Sequence, residues 1–338
     1  MITIDGSEGE GGGQVLRNAC ALSLITGQPF TIENIRGKRD QPGLMRQHLT
    51  AIQAACTIGG SECEGLEIGS SRIVFRPGKV SAGDYSFAVG TAGSTALVLQ
   101  TVLVPLALAD GPSRLVIEGG THASTAPPFD FIVRCFLPVF ERMGPRVSAR
   151  LTRHGFFPRG GGRIEIDIEP APLRRIECID RGALTSRSGT VLFAGLPGEI
   201  AARIRKAALK ALPDWEADAV VLREVPGSQG PGVALMLDAA FEHVTEVVSG
   251  FGKLGLSAEK IGATAGKRMA GYEASGAFAG PYLQDQLILP LAVAGGGAFT
   301  SVKLGDHCRT AGEVVRRFTG RSMTVTQVEG MGHLVQIG

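Results

Sequence analysis

The segment Gly305-Asp306-His307-Cys308-Arg309-Thr310 sets a histidine between an acid and an arginine, just after a β-branched strand. A histidine placed so is a potential phosphate-handling group. A lone loop histidine is more often incidental, and the case for His307 rests on its surroundings. Cys308 is the poorer nucleophile, because a Cys-His pair needs facing side chains and those of neighbouring residues usually diverge.

Several other polar clusters suit phosphate. Gly6-Ser7-Glu8-Gly9-Glu10-Gly11-Gly12-Gly13-Gln14 precedes an apolar helix expected over Val15–Thr26, where glycines let backbone N–H groups approach an anion at the helix start. It lacks the G-K-[ST] of a P-loop and the long βαβ unit of a dinucleotide site. Glu10 would repel phosphate unless a divalent cation bridges them; otherwise it is a solvated loop acid. Arg36-Gly-Lys38-Arg39-Asp40-Gln-Pro-Gly43-Leu-Met-Arg46-Gln47-His48 gathers four cations and a histidine, either a local anion site or a basic surface loop. In Tyr282-Leu-Gln-Asp285-Gln286, the acid and amide can meet a ribose or adenine edge, or merely cap a helix. Ser124-Thr-Ala-Pro127-Pro128-Phe129 reads as a rigid turn that can wall a base pocket, and Arg159-Gly160-Gly161-Gly162 as a hairpin turn or a second glycine-rich element.

Elements that hold these groups must come from a chain of 338 residues, 44% apolar, with a net charge of +2. That composition fills a core and advertises no global field for nucleic acid or membrane, so a polyanion site must be local. The first residues show no signal-peptide pattern, and the apolar runs Ala96–Leu108 and Leu287–Ala294 are shorter than the ~20 residues of a membrane span. Six cysteines without a C-x-x-C pair read as small buried hydrophobes of a reducing compartment. A cytoplasmic enzyme without a membrane partner is the expectation.

Internal similarity organises the chain. Helix end, glycine stop and strand recur around Gly27, Gly111 and Gly296, at spacings of 84 and 185 residues. Three units of about 84 residues with about 100 residues inserted before the third account for this. Each unit reads β-α-β-α-β-β, two helices on a four-stranded sheet. The expected fold is α+β: a three-repeat catalytic domain over 1–179 and 278–338 around a pseudo-threefold axis, with a smaller inserted α/β domain over 180–277. Expected second helices span Gly43–Ile58, Asp130–Met143 and Ala311–Thr319, and the last strands of the first unit Leu66–Ile68 and Arg72–Arg76. The same offsets make Lys38, His122 and His307 equivalent, so their loops could converge at such an axis.

Taken together these strings resemble the RNA 3′-terminal phosphate cyclase family, nearly end to end. The similarity lies in Gly9-Glu-Gly-Gly-Gly-Gln14, Pro42-Gly43 through Arg46-Gln-His-Leu49, Gly90-Thr-Ala-Gly-Ser94 with Leu97-Val-Leu-Gln100, His154-Gly-Phe-Phe-Pro158 with Gly160-Gly-Gly162, and Asp285-Gln286 with His307. It implies that His307 takes AMP from ATP and releases pyrophosphate. AMP then passes to an RNA 3′-phosphate, and attack by the 2′-hydroxyl leaves a 2′,3′-cyclic phosphate. It further implies that Glu10 holds Mg²⁺ or Mn²⁺ on ATP. Arg17, Arg36, Arg39, Gln47, His48 and Gln100 would line the phosphate path, Pro127 and Tyr282 would sandwich adenine, and Asp285 and Gln286 would lie beside ribose or triphosphate. Family members commonly read H-x-x-T-N from the histidine; here Thr310 is followed by Ala311, which puts the geometry of the histidine loop in question. A non-catalytic relative would lack His307, and an enolpyruvyl transferase would need a second set of repeats.

Overall fold

The computed structural model describes residues 1–9, 11–124 and 126–338. The first sheet is built from β1 (Ile2–Asp5), β2 (Phe30–Glu33), β3 (Glu62–Glu64) and β4 (Ile73–Arg76), with helices α1 (Gly13–Thr26) and α2 (Arg46–Gly59). The second comprises β5 (Asp84–Ala88), β6 (Ser113–Gly119), β7 (Arg146–Arg153) and β8 (Gly162–Glu169), with α3 (Thr95–Ala107), and with α4 (Phe129–Phe131) running through a π turn, Ile132–Phe136, into α5 (Leu137–Glu141). The third takes β9 (Glu177–Cys178), then β14 (Gly297–Ser301), β15 (Met323–Val328) and β16 (Gly332–Ile337), with α8 (Pro281–Val293) and α9 (Asp306–Thr319). Their strand orders are β1-β2-β4-β3, β5-β6-β8-β7 and β9-β14-β16-β15, each with its first pair parallel and the rest antiparallel. The result is a mixed α/β fold of four-stranded sheets and helices.

Between β9 and α8 lie β10 (Leu184–Ala194), α6 (Gly198–Lys210), β11 (Val220–Glu224), β12 (Gly232–Phe241), β13 (Thr245–Phe251) and α7 (Ala258–Ser275), whose strands form a fourth sheet, β11-β10-β12-β13. Alternation along β12 shows how it is used. Val233, Leu235, Leu237 and Ala239 join a cluster with Ile204, Ile261 and Met269 of α6 and α7. Ala234 and Met236 instead join the main core. A strand buried on both faces reads as a continuous apolar run, as Val233–Leu237 does. One buried carboxylate also crosses this boundary. Glu246 of β13, 1% exposed, accepts the N–H of Gly280, the N-cap of α8, at 3.2 Å. Burial raises the Glu246 pKa to about 8, so at pH 7 it meets the start of α8 chiefly as a neutral carboxyl.

Local chemistry accounts for the elements and for three departures. Helices α1, α2 and α9 stop at Gly27, Gly60 and Gly320, all left-handed, as C-terminal glycines commonly are. The strand expected at Leu66–Ile68 is instead β3, because Gly65 at φ 76° has already turned the chain. The helix expected over Asp130–Met143 runs from Phe129 to Glu141 but widens to a π turn just before Pro138, a residue with no N–H to donate. Most relevant to chemistry, α9 starts at Asp306 rather than near Ala311. His307 therefore sits in the first turn of a helix, not in a loop, and Ala311 lies one turn on, fully buried in the core. The position at which the resemblance expects asparagine is thus a core packing position one helical turn from His307. Among the described residues, no helix is long and apolar enough to cross a membrane.

Candidate active site

Helices α1, α3 and α8 are buried along most of their lengths, so polar residues on them must face one another or a cavity. Gln14 and Arg17 of α1, Leu97 and Gln100 of α3, and Tyr282, Asp285 and Gln286 of α8 line one cleft, completed by Ala126, Pro127 and His307. Spacings of three and four residues place each helix's contributors on one face. Seven expected site residues meet here: Arg17, Gln100, Pro127, Tyr282, Asp285, Gln286 and His307.

His307 Nδ1 lies 2.6 Å from Gln14 Oε1. An amide oxygen only accepts, so Nδ1 carries the proton and the lone pair of the neutral ring is on Nε2. Burial lowers the His307 pKa below its ordinary value, and the charges of Arg17 and Arg39 lower it further, against a smaller opposing effect of Asp306. The ring is therefore neutral at pH 7, as a nucleophile must be. Gln14 had only a place in the glycine-rich string; its role appears once α1 and α9 are packed together.

Arg17 brings a buried cation to the cleft. Its side chain is 9% exposed, its Nε is buried without a partner, and burial lowers its pKa to about 10. Among the described residues no carboxylate pairs with it. A buried unpaired guanidinium is costly and suits an arriving anion. A Cβ added at Gly13, the first residue of α1, would lie 2.5 Å from His48 Nε2 and 2.9 Å from Arg17 Nη1. His48 Nδ1 accepts the Met45 N–H at 3.1 Å, which leaves the ring proton on Nε2. Burial, then Arg17 and Arg36, push the His48 pKa down to about 3, so it donates as a neutral group. Helix start, His48 N–H and Arg17 together form a donor set for phosphate oxygens.

Asp285 has a buried, unpartnered Oδ1, and burial raises its pKa to about 8. It is no N-cap, since Gly280 holds that place. An Asp whose folded pKa exceeds its unfolded value of 3.8 binds more protons folded than unfolded, so stability falls as pH rises from about 4 to about 8. Asp285→Asn should therefore be more stable than wild type at pH 8, by up to about a few kcal/mol of unfolding free energy, with the difference vanishing near pH 4. Thermal melts across that range check it.

Other expected residues lie outside the cleft lining. Arg36, at φ 55°, donates to the carbonyls of Gln41 and Gly43 and so holds its own loop. Arg39 is exposed but reaches His307 through its field. Gln47 packs on the Gly90–Ser94 loop, where a Cβ at Gly93 would meet its Cβ at 3.0 Å. Glu10 lies outside the described residues. Convergence of Lys38, His122 and His307 does not occur in the cleft. His122 is 2% exposed with Nδ1 on Thr121 Oγ1 and Nε2 on Asp130 Oδ2, both at 2.8 Å. Burial pushes the Cys308 thiol up to about 12, which removes it as a nucleophile. Among the described residues no group of three or more His, Cys, Asp or Glu could hold a metal.

A family model described as RNA 3′-terminal phosphate cyclase matches residues 8–325. An RNA 3′-terminal phosphate cyclase of Koribacter versatilis (strain Ellin345) is 49% identical, over 97% of this chain and 93% of its own. One of Ralstonia nicotianae (strain ATCC BAA-1114 / GMI1000) is 45% identical, over 99% of this chain and 96% of its own. Among solved structures, the enolpyruvyl transferase NikO from Streptomyces tendae matches at 16% identity and a TM-score of 0.27, over 63% of this chain and 37% of that one, a likeness too low to inform the fold.

Proposed function

Because the chain belongs to the RNA 3′-terminal phosphate cyclase family and is such an enzyme, we propose that it works through a covalent AMP on His307 Nε2. The observation that supports this most directly is the His307–Gln14 hydrogen bond beside buried Arg17. In the first step the Nε2 lone pair attacks the α-phosphorus of ATP. The Nε2–P bond forms, the bond to the β-phosphate oxygen breaks, and pyrophosphate leaves. Nδ1 keeps its proton on Gln14, so the adduct is an N-phosphorylated imidazolium whose leaving group is neutral imidazole. An oxygen of the RNA 3′-phosphate then attacks the same phosphorus and His307 departs unchanged. Finally the 2′-hydroxyl attacks the terminal RNA phosphorus, loses its proton, and expels AMP.

Arg17, the α1 N-terminus and His48 are assigned to the phosphates, which carry the charge that develops during transfer. Pro127 and Tyr282 are assigned to the two faces of adenine, and Asp285, Gln286 and Gln100 to ribose and triphosphate contacts. Arg36, Arg39 and Gln47 fit this reading as a support and rim of the phosphate path. Mg²⁺ or Mn²⁺ would come on ATP itself, with Glu10 as the proposed protein ligand. We further propose that the three sheets sharing one strand order are repeats about a pseudo-threefold axis, forming a catalytic domain of 1–179 and 278–338, with 180–277 inserted, and that the enzyme acts in the cytoplasm. Incubation with α-labelled ATP should give one acid-labile AMP per chain. Added 3′-phosphorylated RNA should discharge it with formation of a 2′,3′-cyclic end. Cyclisation without any labelled enzyme would refute the covalent route.

A further inference from the structure

The string His154-Gly-Phe-Phe-Pro158 with Gly160–Gly162 has no part in the nucleotide cleft, yet the fold holds it against the cleft wall in two ways. Phe156 bridges His122 in parallel, and the segment after His122 leads to Ala126 and Pro127 of the cleft. Gly160, at φ 68°, sits so close to the Gly90–Ser94 loop that a Cβ would lie 2.6 Å from Thr91 O and 2.8 Å from Ala92 Cα. That loop feeds α3, whose first turns supply Leu97 and Gln100. At the tip, Phe157 is 69% exposed, the one exposed large aromatic among the described residues. Arg159 beside it and Arg223 of β11 are both exposed. Arg159 packs its stem against Gly230 of the inserted segment, where a Cβ would meet its Cβ at 2.8 Å. The Arg223 charge reaches His154. Neither arginine has a carboxylate partner among the described residues, whereas Arg153 and Arg163 nearby are both paired with Glu118.

A solvated phenylalanine with one unpaired guanidinium two residues on, and a second whose charge reaches His154 of the same segment, suits single-stranded nucleic acid, the ring stacking on a base and the cations tracking phosphates. We propose that Phe157, Arg159 and Arg223 form the docking rim for the single-stranded RNA leading to the terminal 3′-phosphate. This rests on the cyclase reading, and it gives the inserted segment, through Arg223, a share in substrate binding. Arginine is suited to this rim because its fork bonds phosphate and its plane also stacks.

The test uses the full chain, a 3′-phosphorylated oligoribonucleotide and α-labelled ATP. Phe157→Ala should raise KM for the oligonucleotide about tenfold, as loss of one stacked base does, and Phe157→Trp should restore it. Arg159→Ala combined with Arg223→Ala should flatten the log–log salt dependence of RNA binding by about 0.7 for each lost phosphate contact. AMP labelling without RNA should match wild type in every variant. Unchanged KM and salt slope, in variants that still label and cyclise, would overturn the docking rim. Failure of the wild-type chain to label would instead count against the covalent reading alone.

Discussion

His307→Asn should abolish AMP labelling and lower cyclisation by at least about 10³-fold, since on the proposed route removing the covalent nucleophile leaves only binding and electrostatic effects. Asparagine can keep a hydrogen bond to Gln14, so the variant should fold as wild type and bind ATP with little change. Labelling by this variant at the wild-type rate would place the nucleophile elsewhere. The wild-type pH profile carries a second signature. Only neutral imidazole attacks phosphorus, and burial with Arg17 and Arg39 lowers the His307 pKa. Loading should therefore hold down to pH values below the ordinary histidine range near 6.5, and its acid limb should have a midpoint under that figure.

His307 was legible as a candidate residue before it was legible as part of a site. Periodicity and glycine stops located α1, α3 and α8, and the polar groups at the start of α8 were visible as a cluster. What linear reading could not supply was the contact between chain ends. Gln14 and His307 are separated by 293 residues, and no local rule connects an amide at the start of one helix with an imidazole at the start of another. The polar run Asp306–Thr310 also read as a loop because its side chains are poor helix formers, yet Gly305 in extended conformation starts a helix there. The repeat offsets suggested that His122 could share a site with His307. Equivalent positions in a repeat share backbone placement, but what each side chain faces depends on its neighbours, and Thr121 and Asp130 occupy both His122 nitrogens. For the segment expected over 180–277, linear reading did not supply how its strands pack on the rest of the chain. The main-core face of β12 shows in sequence only as a run too apolar for a one-sided strand.

Arg17→Met should leave the ligand-free enzyme at least as stable as wild type while lowering kcat/KM for ATP by a factor of 10² or more, roughly 3 kcal/mol of transition-state stabilisation. The guanidinium is nearly fully buried and unpaired among the described residues, so methionine of similar length removes a desolvation cost and keeps the packing. A gain of about 1–3 kcal/mol in unfolding free energy is the expected size. Ordinary structural arginines behave oppositely, since truncating one partner of a buried ion pair destabilises the fold. The same substitution removes one of the two cations that lower the His307 pKa. The acid limb of the residual loading activity should then move to higher pH than in wild type, toward 6.5. Denaturant melts without ATP, set beside loading rates from pH 5 to 8, separate the possibilities. Lost stability would show that Arg17 is held by the fold for its own sake, whereas higher stability with lost loading and a raised acid limb identifies it as a charge kept unpaired for the phosphates of ATP.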